Sequence, residues 1–513
     1  LNVTQNLNLN GQVNAAGALN VGAKQLTTGK DGHLQSGLDL AITGNSVTLD
    51  GVQAAKGSLD VTADRLSHGG KSTGARVGFS AQQSVDNHGE LLADTLTLSA
   101  ATLTHSGSAS AERISIIAPE LLTSSGSLVA ETLVLHSQYV VNSGLMQGNA
   151  AMDLQIDKLD NLSGGSLYAR RSLALDIPYL TNHGLITTDG SLHLNGRQLV
   201  NGGEINGVDL QSEYATVKNE TAGRLLADTS LSVNGQQTDN LGLMAADTLV
   251  LNSRDVNNDG NVLSVGELSL KNQTLHNAGL LQGSTLNLEA NTWQNSGNAL
   301  GETGVTATVH DVFTNQGKVL SQQGMTVHAA SANNSGMLAA KVLALHGDLS
   351  NSGILQGNQM LGWDGNRFTN LAGGQVTGGE ELHLSGKRID NDGQLEARTA
   401  AITLDILRNG GSIQAQNSLK ITASERLDNQ GALRSLNLFE LAAAQLFNDN
   451  TIAAKSLSIS APELMNNGTV QGNSVLQLTT RNLFNGQQGQ LVSGAGLDLG
   501  LDSLENHGLL LTN

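Results

Sequence analysis

The feature that most constrains the fold of this sequence is a short motif, Asn-x-Gly, which recurs along most of the chain. Clear copies stand at 87–89, 142–144, 277–279, 351–353 and 506–508. Successive copies, including weaker ones, are about 19 residues apart, a period typical of solenoid proteins. Four copies have two extra residues between the Asn and the final Gly, at 161–165, 219–223, 370–374 and 485–489. The period survives these insertions, so we predict bulged corners there.

Between the motif copies, apolar and polar residues alternate with the period of a β-strand rather than that of a helix. An apolar residue follows the Gly by two positions, as at Leu91 and Met146. A Leu-x-Leu pair such as Leu96 and Leu98 comes next, and a third apolar site such as Leu103 closes the repeat. Each repeat therefore predicts three short strands whose apolar side chains point inward.

This pattern predicts an all-β fold, a right-handed parallel β-helix, whose handedness follows the general rule for parallel crossovers. We call one coil of about 19 residues a rung; the 513 residues give about 27 rungs and a rod on the order of 130 Å long. Stacking places each inner Asn above the next, so that their amides form a ladder that satisfies buried polar groups. The Gly of the motif is expected at a corner with positive φ.

Two stretches differ in how well they keep the motif. Residues 86–513 carry regular Asn-x-Gly repeats, whereas residues 1–85 keep the rhythm without the Asn. Thr28, Leu49 and His68 stand where the Asn would be, after inward apolar residues. Because no linker separates the two stretches, we predict atypical rungs at 1–85, regular rungs at 86–513 and one continuous solenoid.

Composition argues against several classes of function. The net charge of −18 opposes non-specific nucleic-acid binding, which needs a basic surface. The absence of cysteine excludes disulfides, thiolate metal sites and a cysteine nucleophile. No apolar run is long enough for a membrane-spanning helix. We therefore predict neither nucleic acid as a partner nor a membrane-spanning segment.

Enzymatic function finds little support in the sequence. Parallel β-helices include polysaccharide lyases, but their sites need clustered carboxylates, whereas the acidic residues here are scattered, mostly at corners such as Asp259 and Asp392. His88, His183 and His507 are several rungs apart, too far to share a metal ion, and are expected at solvent-facing corners. We predict no catalytic residue, metal or cofactor, and keep a polysaccharide lyase-like enzyme as a remote alternative.

The few aromatic residues divide into two groups. Trp293 and Trp363 fall on inward sites of the repeat and are expected in the core. Tyr139 and Tyr179 fall one step off an inward site, two rungs apart, so both are expected to face outward with Lys158 between them. All four tyrosines lie within a few rungs, which defines a candidate partner-contact patch: Tyr139, Lys158, Tyr168, Arg170, Arg171, Tyr179 and Tyr214.

The rungs themselves, for example LHNAGLLQGSTLNL at 275–288, resemble the haemagglutinin repeats of filamentous haemagglutinins and of contact-dependent growth inhibition exoproteins. The resemblance covers nearly all of 86–513 and, more weakly, 1–85. It implies export by two-partner secretion through an outer-membrane transporter, and display at the outer surface of a Gram-negative bacterium. Two family features, an amino-terminal secretion domain and a Val-Glu-Asn-Asn toxin junction, do not occur in this sequence.

The resemblance implies a structural segment of a large secreted protein that projects a receptor-binding or toxin-carrying element toward a target cell. The alternative is an adhesin whose own lateral surface binds host glycan or protein. A target-cell surface receptor is thus an expected partner. Neither end of the chain resembles a polar cap, so further repeats are expected beyond both.

Overall fold

The computed structural model describes residues 1–512 and confirms the predicted fold, a parallel β-solenoid of about 27 rungs with a period of about 19 residues. Its internal contacts divide the chain into two compact units, Leu1–Leu263 and a second that begins at Ser264. Residues 1–512 contain no helical segment with the length and hydropathy of a membrane span. The predicted right-handed sense of the coil and the predicted division at residue 85 stay predictions.

The strands of the first unit follow one another along the chain in this order: β1 (Asn2–Leu9), β2 (Gln12–Ala15), β3 (Leu19–Thr28), β4 (His33–Ser36), β5 (Leu40–Thr43), β6 (Ser46–Leu49), β7 (Val52–Ala55), β8 (Ser58–His68), β9 (Lys71–Asn87), β10 (Glu90–Ser99), β11 (Thr102–His105), β12 (Ser108–Ser124), β13 (Ser127–Asn142), β14 (Leu145–Asn161), β15 (Ser166–Ala169), β16 (Leu173–Asp176), β17 (Tyr179–Asn182), β18 (Leu185–Thr188), β19 (Ser191–Asn201), β20 (Glu204–Asn219), β21 (Arg224–Asn240), β22 (Leu243–Ala246), β23 (Thr248–Asn258). Strand β24 (Asn261–Ser264) contains the boundary.

The strands of the second unit are β25 (Glu267–Asn277), β26 (Leu280–Asn295), β27 (Asn298–Asn315), β28 (Lys318–Ser321), β29 (Gly324–Asn334), β30 (Met337–Asn351), β31 (Ile354–Asn370), β32 (Gln375–Asn391), β33 (Gln394–Asn409), β34 (Ser412–Asn429), β35 (Ala432–Ser435), β36 (Leu438–Asn448), β37 (Thr451–Ser460), β38 (Glu463–Asn466), β39 (Thr469–Asn485), β40 (Gln490–Ser493), β41 (Gly496–Asn506), β42 (Leu509–Thr512).

Each rung contributes three paired segments, as predicted. Strand β10 pairs with β9 and β12 through 90–93 and 95–99, and β11 pairs with the same two strands through 102–105. We call the three resulting faces the first, second and third sheets, in chain order within a rung. In many rungs the corners are so slight that consecutive segments run on as one strand, such as the 17-residue β9. The sequence predicts the segments but not this continuity.

The core is built by stacking like residues on like. On the second sheet Leu96 pairs with Val77 on one side and with Ile114 on the other, and all three side chains are buried. Burying one such side chain contributes roughly 2 kcal/mol, so a rung with several of them is held mainly by apolar burial. Trp293 and Trp363 lie in this core, in register with Leu275 and Leu345, as predicted.

The glycines of the Asn-x-Gly corners are explained by close packing, and the predicted positive φ is wrong for them. Among the described residues positive φ occurs at Gly164, Gly347 and Gly373 only. At Gly107 and its equivalents, a Cβ atom would instead overlap the carbonyl oxygen of the corner Gly one rung earlier, Gly89 in this case. Backbones of successive corners therefore approach too closely for any side chain.

The four longer corners are wider turns, as predicted. The N–H of Gly165 donates to the carbonyl of Leu162 at 2.8 Å, and the N–H of Gly374 donates to that of Leu371 at 2.9 Å. Corners 219–223 and 485–489 close in the same way. Each insertion is absorbed locally, and Asn161 stays in register with Asn182.

The predicted amide ladder is present in both units. From Asn142 to Asn258 in the first unit, the Nδ2 of each inner Asn donates to the Oδ1 of the next at 2.7–2.9 Å. From Asn277 to Asn506 in the second unit the same bonds measure 2.6–2.9 Å. The amide also reaches backbone carbonyls of its own corner, as from Asn315 to Gly317 at 3.2 Å. Within each unit the column is thus a continuous polar strip in a core that is mostly apolar.

Candidate contact surfaces

The centre of the predicted patch is assembled as the repeat register requires. Tyr139, Lys158 and Tyr179 are directly paired on three consecutive rungs of the third sheet, and all three face outward. Tyr179 is 43% exposed, whereas Tyr139 is half-buried. The Lys158 ammonium lies over the Tyr139 ring, 4.5 Å from its centroid, a cation–π contact. We call Tyr139, Lys158 and Tyr179 the Tyr–Lys face.

Asp160 ties the Tyr–Lys face together. Its carboxylate accepts a hydrogen bond from the Tyr139 hydroxyl and lies 3.0 Å from the Lys158 ammonium. Burial opposes ionisation of Asp160, but the hydrogen bonds from Tyr139 and Lys158 outweigh it and hold the pKa of the carboxyl below its usual value. The same bond to Asp160 raises the pKa of Tyr139, so the phenol stays protonated. The face is therefore pre-ordered, with Tyr179 as its most accessible aromatic ring.

The remaining patch residues do not join this face. Tyr168 lies on the first sheet, where its hydroxyl donates to Asp189 at 2.7 Å. Arg170 and Arg171 are exposed at the corner that follows. They form a separate small basic spot beside Tyr168.

Tyr214 cannot contact a partner, which corrects the prediction. Its side chain is fully buried at the end of the second sheet, and its hydroxyl donates to the carbonyl of Ile177 at 2.8 Å. Gly196, its neighbour one rung earlier, leaves the space: a Cβ there would collide with the Tyr214 ring. Burial raises the pKa of Tyr214. Its inward position follows the alternation Leu210, Ser212, Tyr214, which the sequence already contains.

A second outward aromatic surface lies on the third sheet of the second unit and was not predicted. Phe447, Met465 and Phe484 are directly paired on consecutive rungs, and each immediately precedes an inner Asn. Met465 is 41% exposed and the two rings are half-buried. We call these three residues the Phe–Met face. The signal for it was available, because the position one before the inner Asn is exposed or half-buried in the regular rungs, with Asp390 as the exception.

Polar side chains run beside the Phe–Met face. Gln445, Glu463 and Asn482 form the parallel outward column, with the Asn482 amide donating to Glu463 at 2.8 Å. Asp428 and Glu505 stand at the two ends of the apolar column. The Asp428 carboxylate accepts two hydrogen bonds from the Nε of Arg426, at 2.8 and 2.9 Å. The surroundings of the apolar stripe are thus more acidic than basic.

A buried polar chain replaces the Asn ladder in the first rungs. His68 Nδ1 is 2.5 Å from Asn87 Oδ1, and Asn87 Nδ2 is 2.8 Å from His105 Nδ1. On its other side His68 Nε2 is 3.0 Å from the hydroxyl of Ser72. Burial lowers the pKa of His68 to about 4 and also lowers the pKa of His105. Both imidazoles are therefore neutral near pH 7.

His88, His183 and His507 lie exposed at their corners, as predicted. Among the described residues no group of three or more His, Cys, Asp or Glu side chains is placed to hold a metal ion. The candidate contact residues therefore lie on the outer surface, whereas the polar residues of the inner column hydrogen-bond one rung to the next.

The rung pattern, the inner Asn column and the lateral faces define a repetitive parallel β-solenoid. The haemagglutinin repeat matches residues 1–91, 347–431, 392–455 and 448–513. The chain belongs to the haemagglutinin-repeat family, as a repeat segment of a CdiA-type contact-dependent inhibition exoprotein. No solved structure matches it.

Several curated relatives share this segment. Toxin CdiA of Escherichia coli is 35% identical over 98% of this chain, and the match covers 15% of that relative. The 16S rRNA endonuclease CdiA of Enterobacter cloacae is 30% identical over 92% of this chain and 15% of its own length. The tRNA nuclease CdiA of Yersinia mollaretii is 25% identical over 67% of this chain and 11% of its own length. The chain therefore spans a small part of each relative, and the matched repeats are non-catalytic.

Proposed function

We propose that this segment is a structural rod of a secreted exoprotein, displayed at the outer surface of a Gram-negative bacterium after export through an outer-membrane transporter. It carries no catalysis of its own and holds a receptor-binding or toxin-carrying element away from the producing cell. The observation that carries the proposal is the inner column, which repeats the same buried bonds rung after rung. The relatives, whose names include a toxin and nucleases, support it.

A structural rod has a property that an active site lacks: whole rungs are interchangeable. Each rung contacts mainly its neighbours, so removing complete rungs rejoins equivalent strands. Residues 298–336 fit this operation, since Asn298 pairs with Lys318 and Lys318 pairs with Met337 in register. Residues 145–184 offer a second deletion, because Leu145 pairs with Ser166 and Ser166 with Leu185.

The test uses the E. coli Toxin CdiA, with this chain exchanged for the stretch that it matches. Deleting 298–336 should leave export and surface display intact and shorten the filament seen by electron microscopy. Deleting 298–326, which ends in the middle of a rung, is the matched control and should abolish display, because the rungs after the junction no longer pair in register with the rungs before it. Compact particles in place of filaments, or equal tolerance of both deletions, would contradict the proposal.

The second candidate function, lateral adhesion to a host glycan or protein, is favoured by one observation, the pre-ordered Tyr–Lys face with its exposed Tyr179. Deleting 145–184 removes Lys158 and Tyr179 and leaves only Tyr139 of this face, whereas deleting 298–336 leaves all three residues in place. A pure rod responds equally to the two deletions. Adhesion through the face predicts that only the 145–184 deletion lowers binding to target cells, and that Tyr139→Ala with Tyr179→Ala reproduces the loss without altering the melting temperature.

A further inference from the structure

We propose that the Phe–Met face is a docking site for a basic amphipathic polypeptide segment of a partner protein. This inference goes beyond the structural role, and neither one depends on the other. It is carried by the placement of the apolar side chains, by the charges around them and by the way the two rings are already covered.

The apolar side chains are aligned for a contact along the solenoid axis. Phe447, Met465 and Phe484 occupy one column on adjacent rungs, so the two rings are about 10 Å apart with the flexible thioether of Met465 between them. Exposed apolar stripes of this kind mark interaction sites, and Met adapts to the shape of apolar partners. Of the six phenylalanines of the chain, four are buried in the core. These two are the exception.

The charges around the face select the partner. Over the rungs from Arg426 to Glu505, the two outward columns carry three carboxylates, those of Asp428, Glu463 and Glu505, and one guanidinium, that of Arg426. Arg408 lies one rung beyond Asp428 and the exposed Arg481 precedes Asn482, while the exposed Glu425 and Asp449 add two carboxylates nearby. Arg426 is held by Asp428, so it does not offset Glu463 or Glu505. The net charge of −18 adds a field of the same sign. Cationic residues flanking apolar ones therefore complement this surface, whereas an anionic membrane is repelled.

The rings are better placed for aliphatic side chains than for sugars. The Arg426 guanidinium lies 4.3 Å from the centroid of the Phe447 ring, and the His507 ring lies 5.8 Å from that of Phe484. Each ring thus already has a neighbour next to it, and a sugar needs an open ring face for stacking. The side chain of Met465 and the rest of both rings remain for contacts with Leu- or Phe-like side chains, which a polypeptide supplies.

The test measures fluorescence polarisation of two labelled synthetic peptides with the intact chain. One peptide has two lysines on each side of Leu-Phe-Leu, and the other has glutamates in their place. We expect the lysine peptide to bind at least tenfold more tightly, and its affinity to fall as salt rises, because the rim charges are exposed. Phe447→Thr with Phe484→Thr should weaken it at least tenfold, since Thr suits an exposed strand while removing the apolar contact.

Two controls make the outcome decisive. Tyr179→Thr, an outward aromatic on the third sheet of the other unit, should leave peptide binding unchanged. Glu463→Lys with Glu505→Lys keeps both rings and should reverse the preference between the two peptides. This variant tests the proposal even if the Phe variants fold poorly. Equal affinity for both peptides, no binding, or binding of maltohexaose or anionic vesicles in place of the lysine peptide would overturn the proposal.

Discussion

Two stretches of the inner column solve the same problem with different chemistry. From Asn142 to Asn506 the position is occupied by neutral amides, each bonded to the next within its unit. From Thr28 to Ser124 it is occupied by Thr28, Leu49, His68, Asn87, His105 and Ser124, which stack in register but do not form a continuous ladder. The coil forms with either kind of column. Apolar burial therefore determines the coil, and the polar column changes the stability of individual rungs.

The two columns differ in their response to protons. An amide does not titrate, so the Asn column has the same bonds at all moderate pH values. The His68–Asn87–His105 chain requires neutral imidazoles, and His88 and Asp50 are the charged groups that act on His68. The Asn87 amide donates to Nδ1 of His105, and a proton on that nitrogen would place two donors face to face. The first rungs are therefore the acid-sensitive part of the column.

The largest effect is expected from breaking the Asn column at its middle. Asn315→Leu keeps the side-chain size but leaves one N–H of the Asn295 amide and the Asn334 carbonyl oxygen without a partner, while the other Asn295 N–H keeps the carbonyls of Gly297 and Lys318. Two unsatisfied buried groups cost about 4 kcal/mol of unfolding free energy. Urea denaturation measures the loss, and the outward neighbour Thr314→Leu should change the same quantity by less than about 0.5 kcal/mol. Equal effects of the two substitutions would show that the column contributes nothing.

The second effect is a pH dependence confined to the first rungs. Burial holds the pKa of His68 near 4 in the folded chain, whereas the unfolded chain titrates near the ordinary value of 6.5. The unfolded state thus binds more protons between these values, so stability is complete above pH 6.5 and falls as the pH decreases to 4. The loss is on the order of 3 kcal/mol. His68→Asn should remove most of this dependence, and an unchanged pH profile in that variant would contradict the assignment.

A smaller, stabilising effect is expected from repairing the gap at Ser124. Its hydroxyl is buried without a hydrogen-bond partner, and the neighbouring Asn142 has no Asn before it to donate to its Oδ1. Ser124→Asn would supply that donor and gain about 1 kcal/mol. Thermal unfolding followed by circular dichroism measures the gain, with Ser125→Asn at the adjacent corner as the control. A lower melting temperature for Ser124→Asn would mean that this rung has no room for the amide.

The smallest effect belongs to the outer positions. Tyr179→Ala removes an exposed ring that covers little of the core, so the free energy of unfolding should change by no more than about 0.5 kcal/mol. The inward Leu180 next to it gives the contrast, because Leu180→Ala should cost about 3 kcal/mol. Comparable losses of stability for the two variants would show that the assignment of Tyr179 as outward and Leu180 as inward is wrong.

The sequence predicts those features whose position within the 19-residue repeat is the same from rung to rung. The inward sites, the Asn column and the outward pair Tyr139 and Tyr179 were predicted, because each follows from position relative to the motif. Tyrosine density alone places Tyr214 in the patch, but its register puts the side chain inward, where Gly196 one rung earlier makes room for it. The corner glycines were assigned the wrong cause, since the approach of successive backbones depends on distances between rungs that no single repeat encodes.

Features formed by side chains of neighbouring rungs could not be predicted from the sequence, because no single repeat encodes how rungs pack on one another. Phe447 and Phe484 are separate residues in the sequence and become one face only when the rungs are stacked. The bonds that join His68 and His105 through Asn87 likewise need the side-chain rotamers of three rungs at once. Asp160 gives no signal of its own in the sequence, yet it orders the whole Tyr–Lys face.

The central claim is that apolar burial holds the coil together, while the inner polar column adjusts the stability of each rung locally. Hydrogen–deuterium exchange of the intact chain at pH 7.4 and pH 4.5, corrected for the intrinsic rates, tests it most directly. We expect protection to be lost at pH 4.5 around His68, Asn87 and His105, and to be retained in the rungs between Asn142 and Asn240. A uniform loss along the chain, or full protection of the His68 rungs at pH 4.5, would contradict it.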